Sequence, residues 1–414
     1  MTTQSKFPVY AYVLVAAATA GLIAIWANPG SREPFVEGEA YFQMAEGHPE
    51  TVYNYYAGRM LHPWAARELA KLVPMDLHRA FLVWAVISLL GFCVFISLYL
   101  RRLGMNPLLL VPLVCIPATT TLYRGYYFHD LFHAMLVAGF VVLYSYSAWV
   151  ALPFLLLLHL TRESTILLSV CLAVVNLRRR RWAYALSVVA IAALGMSATS
   201  AAVHAALPNK HGLNTLEMYV LKVPYAFCHN VLGLVFWTDT NAATLNCTPT
   251  WIVNVAGRLG SIRQVGFCGF RPGLIVKTLA AFLVPFGVEP AIVARLVHQR
   301  WRAWPKYGDV FQTVFAYGAT CALFAPVIGT DPARYVLYAW PLCLLALPEL
   351  LKILTFHRSW CMALIGLHAA ACLVGFLIMG KPGDSQLVWV ALLLALNVLA
   401  YCCVSKLASV RGEG

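Results

Sequence analysis

Charged side chains are scarce in this sequence. Asp, Glu, Lys and Arg supply 11% of its 414 residues, against about 25% in an ordinary water-soluble chain, while 61% of the residues are hydrophobic. A surplus of that size has no aqueous core to hide in and needs lipid as its solvent. Acidic residues are the scarcer sign, 17 against 30 Lys and Arg, for a formal charge of +13. The excess is not massed on one polar face, which argues against a nucleic-acid-binding surface. There is no CxxC and no Cys/His spacing suited to a metal. No internal repeat or low-complexity tract appears, which weighs against an inverted-repeat transporter. No small-residue cleavage site follows the first apolar run, Tyr10 to Trp26, where the chain continues Ala27-Asn28-Pro29-Gly30; the expectation is an uncleaved first helix.

What is present is a succession of apolar windows. A spanning helix needs about 20 residues to cross about 30 Å of hydrocarbon. Windows of about that length fall near 9–27, 80–100, 106–122, 183–206, 274–293, 310–328, 335–355, 359–379 and 386–405, and three further segments (131–146, 148–160 and 164–177) fill the stretch between. The last two are too short to cross alone and meet at Arg162-Glu163, a charged pair at membrane depth that reads either as functional or as an ion pair bracing a broken helix. The prediction is an all-α polytopic membrane protein of about twelve segments, a single transmembrane domain over 1–405 with a tail at 406–414. The basic runs Arg101-Arg102, Arg178 to Arg181, Arg295 to Lys306, Lys352 to Arg358 and Lys406 to Arg411 then lie on the cytoplasmic side. Both termini are expected in the cytoplasm of a bacterium, the chain crossing its inner membrane repeatedly. The loops at 28–78, 123–130, 207–273, 329–334 and 380–385 face outward. The long 207–273 loop is expected to form interfacial helices roofing a cavity. Of its cysteines Cys228, Cys247 and Cys268, one pair is bridged in an oxidising space or all three stay reduced.

Polar chemistry collects in those outward loops. The first carries Glu37, Glu39, Tyr41, Arg59 and His62; the second reads Tyr123-Arg124-Gly125-Tyr126-Tyr127-Phe128-His129-Asp130; a late turn ends in Arg334-Tyr335. A carboxylate just outside a helix and partly desolvated suits a general base. Aromatics interleaved with Arg, His and Asp suit a sugar phosphate, rings against sugar faces and cations on phosphate; as an interfacial belt they would serve only to anchor the chain.

These patches resemble the glycosyltransferase C superfamily of membrane enzymes, which use polyprenyl-phosphate-linked sugars. In that family an acidic residue in the first outward loop, often four residues before a tyrosine, is catalytic. Glu37-Gly38-Glu39-Ala40-Tyr41 is similar to it, with glutamate in place of the usual aspartate and Glu39 as a rival to Glu37. Asp130 matches a second acid in the next outward loop, Arg162-Glu163 a charged pair at a short broken helix, and Arg334-Tyr335 with Pro341 a late Arg-Tyr before a proline-containing helix. The resemblance implies transfer of a sugar from a polyprenyl-phosphate donor to an acceptor hydroxyl of a glycan or lipid at the outer face. Glu37, Glu39 and Asp130 are then the catalytic candidates. Tyr41, Arg59, His62, Arg124, His129, Arg162, Glu163, Arg334 and Tyr335 are the substrate-binding ones. No cofactor is required, and a divalent metal stays open. The competing expectations are a polysaccharide polymerase or ligase, whose principal loop would come late in the chain, and a transporter or lipid flippase, whose ionisable residues would spread through mid-membrane positions.

Overall fold

The computed structural model describes residues 7–29, 37–49, 52, 58–206, 215–238, 247–259, 262–300, 307–328, 332–352, 358–379 and 386–409. Within them the chain is overwhelmingly helical. Seven helices have the length and apolarity to cross a membrane: α1 (Val9–Ala27), α4 (Leu77–Arg102), α10 (Trp182–Ala206), α14 (Asp309–Ile328), α15 (Pro332–Leu351), α16 (Arg358–Met379) and α17 (Gln386–Ser409). A bent pair, α5 (Leu110–Val114) with α6 (Pro117–Arg124), brings the number to eight when counted as one span. Four more apolar helices are shorter: α7 (Asp130–Tyr146), α8 (Ala148–Thr161), α9 (Thr165–Arg178) and α12 (Gly273–Leu283). Each of the twelve windows read from the sequence thus carries a helix, with seven or eight of full spanning length. The last helix runs on to Ser409, past the expected boundary at 405.

Burial separates protein-facing from lipid-facing stripes. α1 packs on α4, α4 on α7, α7 on α8, and α9 on both α10 and α14. The outward faces of α10 and α17 expose Leu186, Leu194, Val388 and Leu394, as a helix does when its outer solvent is hydrocarbon. Polar side chains tie helices together where they meet: Ser97 Oγ donates to Tyr12 O at 2.9 Å between α4 and α1, and Asn176 Nδ2 donates to the Tyr144 hydroxyl at 3.1 Å between α9 and α7.

Two ends of the molecule are defined by α14. At its first turn Asp309 pairs with Arg179 at 2.6 Å and with Arg181. At its last turn Asn230 Nδ2 reaches Pro326 O at 2.8 Å, and the chain passes into the helix carrying Arg334. Twenty residues of helix span about 30 Å, whereas the 14 residues of α9, rising from the same arginine end, span about 21 Å. The break at 162–164 is therefore recessed below the level where α14 ends.

Helix breaks are stitched to each other. Ile116 is extended before Pro117 opens α6, as the residue before a proline must be. Its amide turns to Val114 O at 2.8 Å, so the Pro112 carbonyl loses its in-helix partner and receives the Nε2–H of His368 at 2.8 Å instead. The Ala118 amide donates to Pro285 O at 2.9 Å in the gap between α12 and α13 (Glu289–Arg300). Asn397 Nδ2 donates to Gly287 O at 3.2 Å in the same gap. Each broken strand of backbone completes its neighbour's hydrogen bonds, which is the condition for irregular backbone among spanning helices.

Among the described residues of the 207–273 segment, where interfacial helices were expected, the chain forms one helix, α11 (Thr215–Asn230), and an antiparallel three-stranded sheet of order β1-β3-β2: β1 (Leu234–Thr238), β2 (Trp251–Leu259) and β3 (Ile262–Phe270). Cys247 and Cys268 are disulfide-bonded and Cys228 is a free thiol, which settles the pairing that the sequence left open.

Candidate functional site

A buried cluster of charge sits at the recessed end. Arg162 is the extended residue that ends α8. Its side chain and that of Glu163 diverge, because neighbours on extended backbone point to opposite sides. Arg162 Nη1 donates to Asp130 Oδ1 at 2.7 Å and to His129 Nε2 at 3.2 Å. Glu163 accepts from Arg59, Nε to Oε2 at 2.9 Å, with the second guanidinium nitrogen on Oε1 in a bidentate clasp. The expected pair Arg162-Glu163 is thus two ion pairs, one with each neighbouring element, rather than one pair with itself.

Asp130 is the centre of the cluster. It opens α7, where the helix dipole favours a carboxylate. It accepts from Arg162, from Arg334 Nε at 3.0 Å on Oδ2, and from the Tyr338 hydroxyl on Oδ1. Arg162 also lies over the Tyr338 ring, 3.6 Å from its centroid, and Arg334 over Phe128 at 4.7 Å, so each guanidinium is held by a carboxylate and a ring face. Among the described residues the cluster sets three guanidiniums, Arg59, Arg162 and Arg334, against two carboxylates, Asp130 and Glu163. The cluster is largely buried, with Glu163 keeping the most exposure.

The loop after α1 meets this cluster through its own short helices. In α2 (Glu37–Glu46), Tyr41 is fully buried, receives Arg59 Nη1 at 3.0 Å and packs against the His129 ring at 5.4 Å. Burial pushes the Tyr41 phenol up to about 12 against the pull of Arg59, so it stays a neutral hydroxyl. In α3 (Leu61–Leu72), His62 is buried and lies 3.1 Å from Tyr127 O; burial pushes its imidazole down to about 4. His129 is held well below its ordinary value by burial and by the neighbouring Arg59 and Arg162. Both histidines are therefore neutral at pH 7, and the positive charge of the cluster rests on the arginines.

The remaining predicted residues are placed as follows. Glu39 is half-buried on the other face of α2 from Tyr41 and accepts from Gln43 Nε2 at 2.9 Å. Glu37 opens the same helix; its side chain lies outside the described residues. Tyr335 is half-buried beside Arg334. Arg124 is exposed and donates from Nε to Ala27 O at 3.0 Å, capping the end of α1 away from the ion cluster.

Next to Asp130 a cavity of about 450 Å³ opens between α6, α12 and α15, lined by Leu122, Phe128, Ala281, Leu337 and Met379 with Asp130, Arg334 and Lys277 as its charges. Its wall is otherwise mostly apolar, Thr121 being the exception. No protein-family model and no curated protein matches the chain. The chemistry of the site has to be read from its own residues.

Two of those were not singled out from the sequence. Tyr338 follows Arg334 by one helical turn, so the spacing that made Arg334 a candidate also pointed at it. Lys277 lies within an apolar helix, and a lone lysine there is a signal in its own right. Among the described residues no group of three His, Cys, Asp or Glu side chains is arranged to hold a metal ion.

Proposed function

We propose that the chain is a membrane glycosyltransferase that moves a sugar from a polyprenyl-phosphate donor to an acceptor hydroxyl at the outer face of the inner membrane. The observation that carries this reading is the cavity in which Lys277 and Arg334 stand, with Asp130, on a mostly apolar wall. An apolar groove with cations at one place is complementary to a molecule that is hydrocarbon with a phosphate at one end.

In the proposed reaction the acceptor oxygen forms its bond to the anomeric carbon as the bond from that carbon to the phosphate oxygen breaks. The acceptor's proton passes to a glutamate of the first loop, Glu37 or Glu39. The phosphate leaves on its lipid, its charge matched by Arg334 and Lys277. Asp130 is already engaged by two guanidiniums and a phenol, and Glu163 by Arg59. Those two acids suit the task of holding cations in place, which leaves the base to the first loop. A transport function would draw on Glu289 and His368, which lie buried away from this cluster; the gathering of the other buried charges around one cavity favours transfer.

Cells lacking the protein test the reading. Lipid extracts should accumulate a polyprenyl-phosphate sugar, and one envelope glycan or lipid should lose that sugar. Restoring the gene with Arg334→Ala should recover transfer about 10²- to 10³-fold more slowly than wild type. A lipid and glycan profile unchanged by the deletion removes the proposal.

A further inference from the structure

A second cavity lies away from the ion cluster, between α5, α13, α15 and α16. It has a volume of about 230 Å³ and is walled by Leu113, Ile292, Leu351 and Leu364, with Glu289 and His368 as its only ionisable groups, besides a cysteine, among the described residues. A neighbouring cavity of about 520 Å³ shares Leu109, Pro112, Ile365 and His368 with it, and Leu108 and Ile365 on its wall are exposed, so the pair opens sideways toward lipid. His368 is ten residues into α16, about 15 Å along the helix from Arg358, which puts the carboxyl at mid-membrane depth.

Glu289 is 2% exposed, and neither of its carboxyl oxygens has a hydrogen-bond partner among the described residues. The nearest ring nitrogen, His368 Nε2, is 3.9 Å away and gives its proton to Pro112 O at 2.8 Å. Among the described residues no lysine or arginine lines either cavity. A buried carboxyl left without a partner costs free energy that natural structures do not leave uncompensated. What is missing is a hydrogen-bond donor on an apolar body. An ammonium donor would itself be costly to bring to this depth; a neutral hydroxyl is not.

We infer that this cavity is a binding site for a lipid alcohol, its hydroxyl on the Glu289 carboxyl and its hydrocarbon in the two joined cavities. The site is separate from the transferase proposal and stands or falls without it. Tritiated dodecan-1-ol is equilibrated with the purified full-length protein in detergent, with unlabelled dodecan-1-ol or 1-methoxydodecane as competitor. The ether has the same kind of apolar chain and no donor. In the wild type the alcohol should bind saturably, one per chain, and the ether should compete about tenfold less well. Glu289→Ala should weaken the alcohol about tenfold and abolish the difference between the two. Ile365→Trp, which narrows the cavity without touching the carboxyl, should weaken both. Equal competition by alcohol and ether in the wild type, or no saturable binding, overturns the inference, and both results are read on the unaltered protein.

Discussion

At the scale of single residues, the ion cluster is organised by which charge each carboxylate was given. Arg59 comes from the loop after α1 and Glu163 from the break between α8 and α9, 104 positions apart in sequence. Their pairing fastens the loop to the recessed end. The guanidinium is nearly buried while the carboxylate keeps about a third of its surface, 10% and 36% exposed respectively. Removing the acid strands a buried cation; removing a fully buried partner costs about 3–5 kcal/mol, and the remaining solvent access here brings the expected loss to about 2 kcal/mol. Glu163→Leu should lower the thermal midpoint in detergent, and the double variant Arg59→Leu with Glu163→Leu should recover much of that loss, because no charge is then left alone. Equal midpoints for wild type and Glu163→Leu would show that the pair contributes nothing. His62 makes a second residue-scale prediction. Its imidazole goes from an ordinary value of 6.5 to about 4 on folding, so between those values the unfolded chain takes up a proton that the folded one refuses. The stability this gives is complete above pH 6.5 and is lost as pH falls toward 4, roughly 3 kcal/mol in all. Thermal midpoints measured from pH 7.5 to 4.5 should fall less steeply for His62→Asn than for wild type, and parallel curves would exclude the histidine as a contributor.

At the scale of elements, the site depends on how closely α14 and α15 approach. α15 carries both Arg334 and Tyr338, and it departs from regular α-helix twice after Arg334: a 3₁₀ turn covers Leu337–Ala339 and a π turn covers Leu342–Ala346. The wide turn lies against Gly318 of α14, where an added Cβ would sit 2.7 Å from the Leu342 amide nitrogen and 2.8 Å from its Cβ. Small residues let spanning helices touch backbone to backbone, and here one fixes the register that presents Tyr338 to Asp130. Since backbone cannot step aside as a side chain can, Gly318→Ala should cost about 1–3 kcal/mol. Gly366, where nothing lies within 4 Å of an added methyl, is the matched control, and Gly366→Ala should leave the midpoint unchanged or slightly raised through helix propensity. A loss of the same size at both positions would refute the close-contact account. The helices themselves were legible from hydropathy because each apolar window is a statement about lipid. The breaks at 115–116 and 284–288 were not legible as partners, because their stitching depends on carbonyls and amides that carry no side-chain signal. The sheet was missed for a related reason. Its strands contain glycines, a register shift between Val235 and Phe236 and little clean alternation, so period-2 patterning is weak over 234–270.

At the scale of the whole molecule, charge is sorted to two ends, and that sorting was the part of the candidate site most open to sequence reasoning. Tyr41, Arg59, His62, His129, Asp130 and Arg334 were each marked by being polar on one predicted side of an apolar chain, and Arg162 and Glu163 by being charged at membrane depth between two short segments. The structure gathers them into one buried cluster. Arg124 carried the same mark and caps a helix instead, since side alone does not say which way a side chain turns. Arg179 and Arg181 meet Asp309 at the opposite end, one length of α14 away. The disulfide-bonded sheet lies at the Arg334 end, tied by Asn230 to the last turn of α14. A disulfide suits an oxidising space and dense short arginine runs suit cytoplasmic turns; the proposed orientation, with the Arg334 end outward, rests on these two independent indicators. Trp237→Cys in intact cells should therefore react with a membrane-impermeant maleimide above the background set by the native thiols, whereas Arg180→Cys should react only after permeabilisation. The reverse pattern would turn the molecule over. It would put the cavity that holds Arg334 and Lys277 on the cytoplasmic face, where the proposed donor and acceptor would have to meet instead.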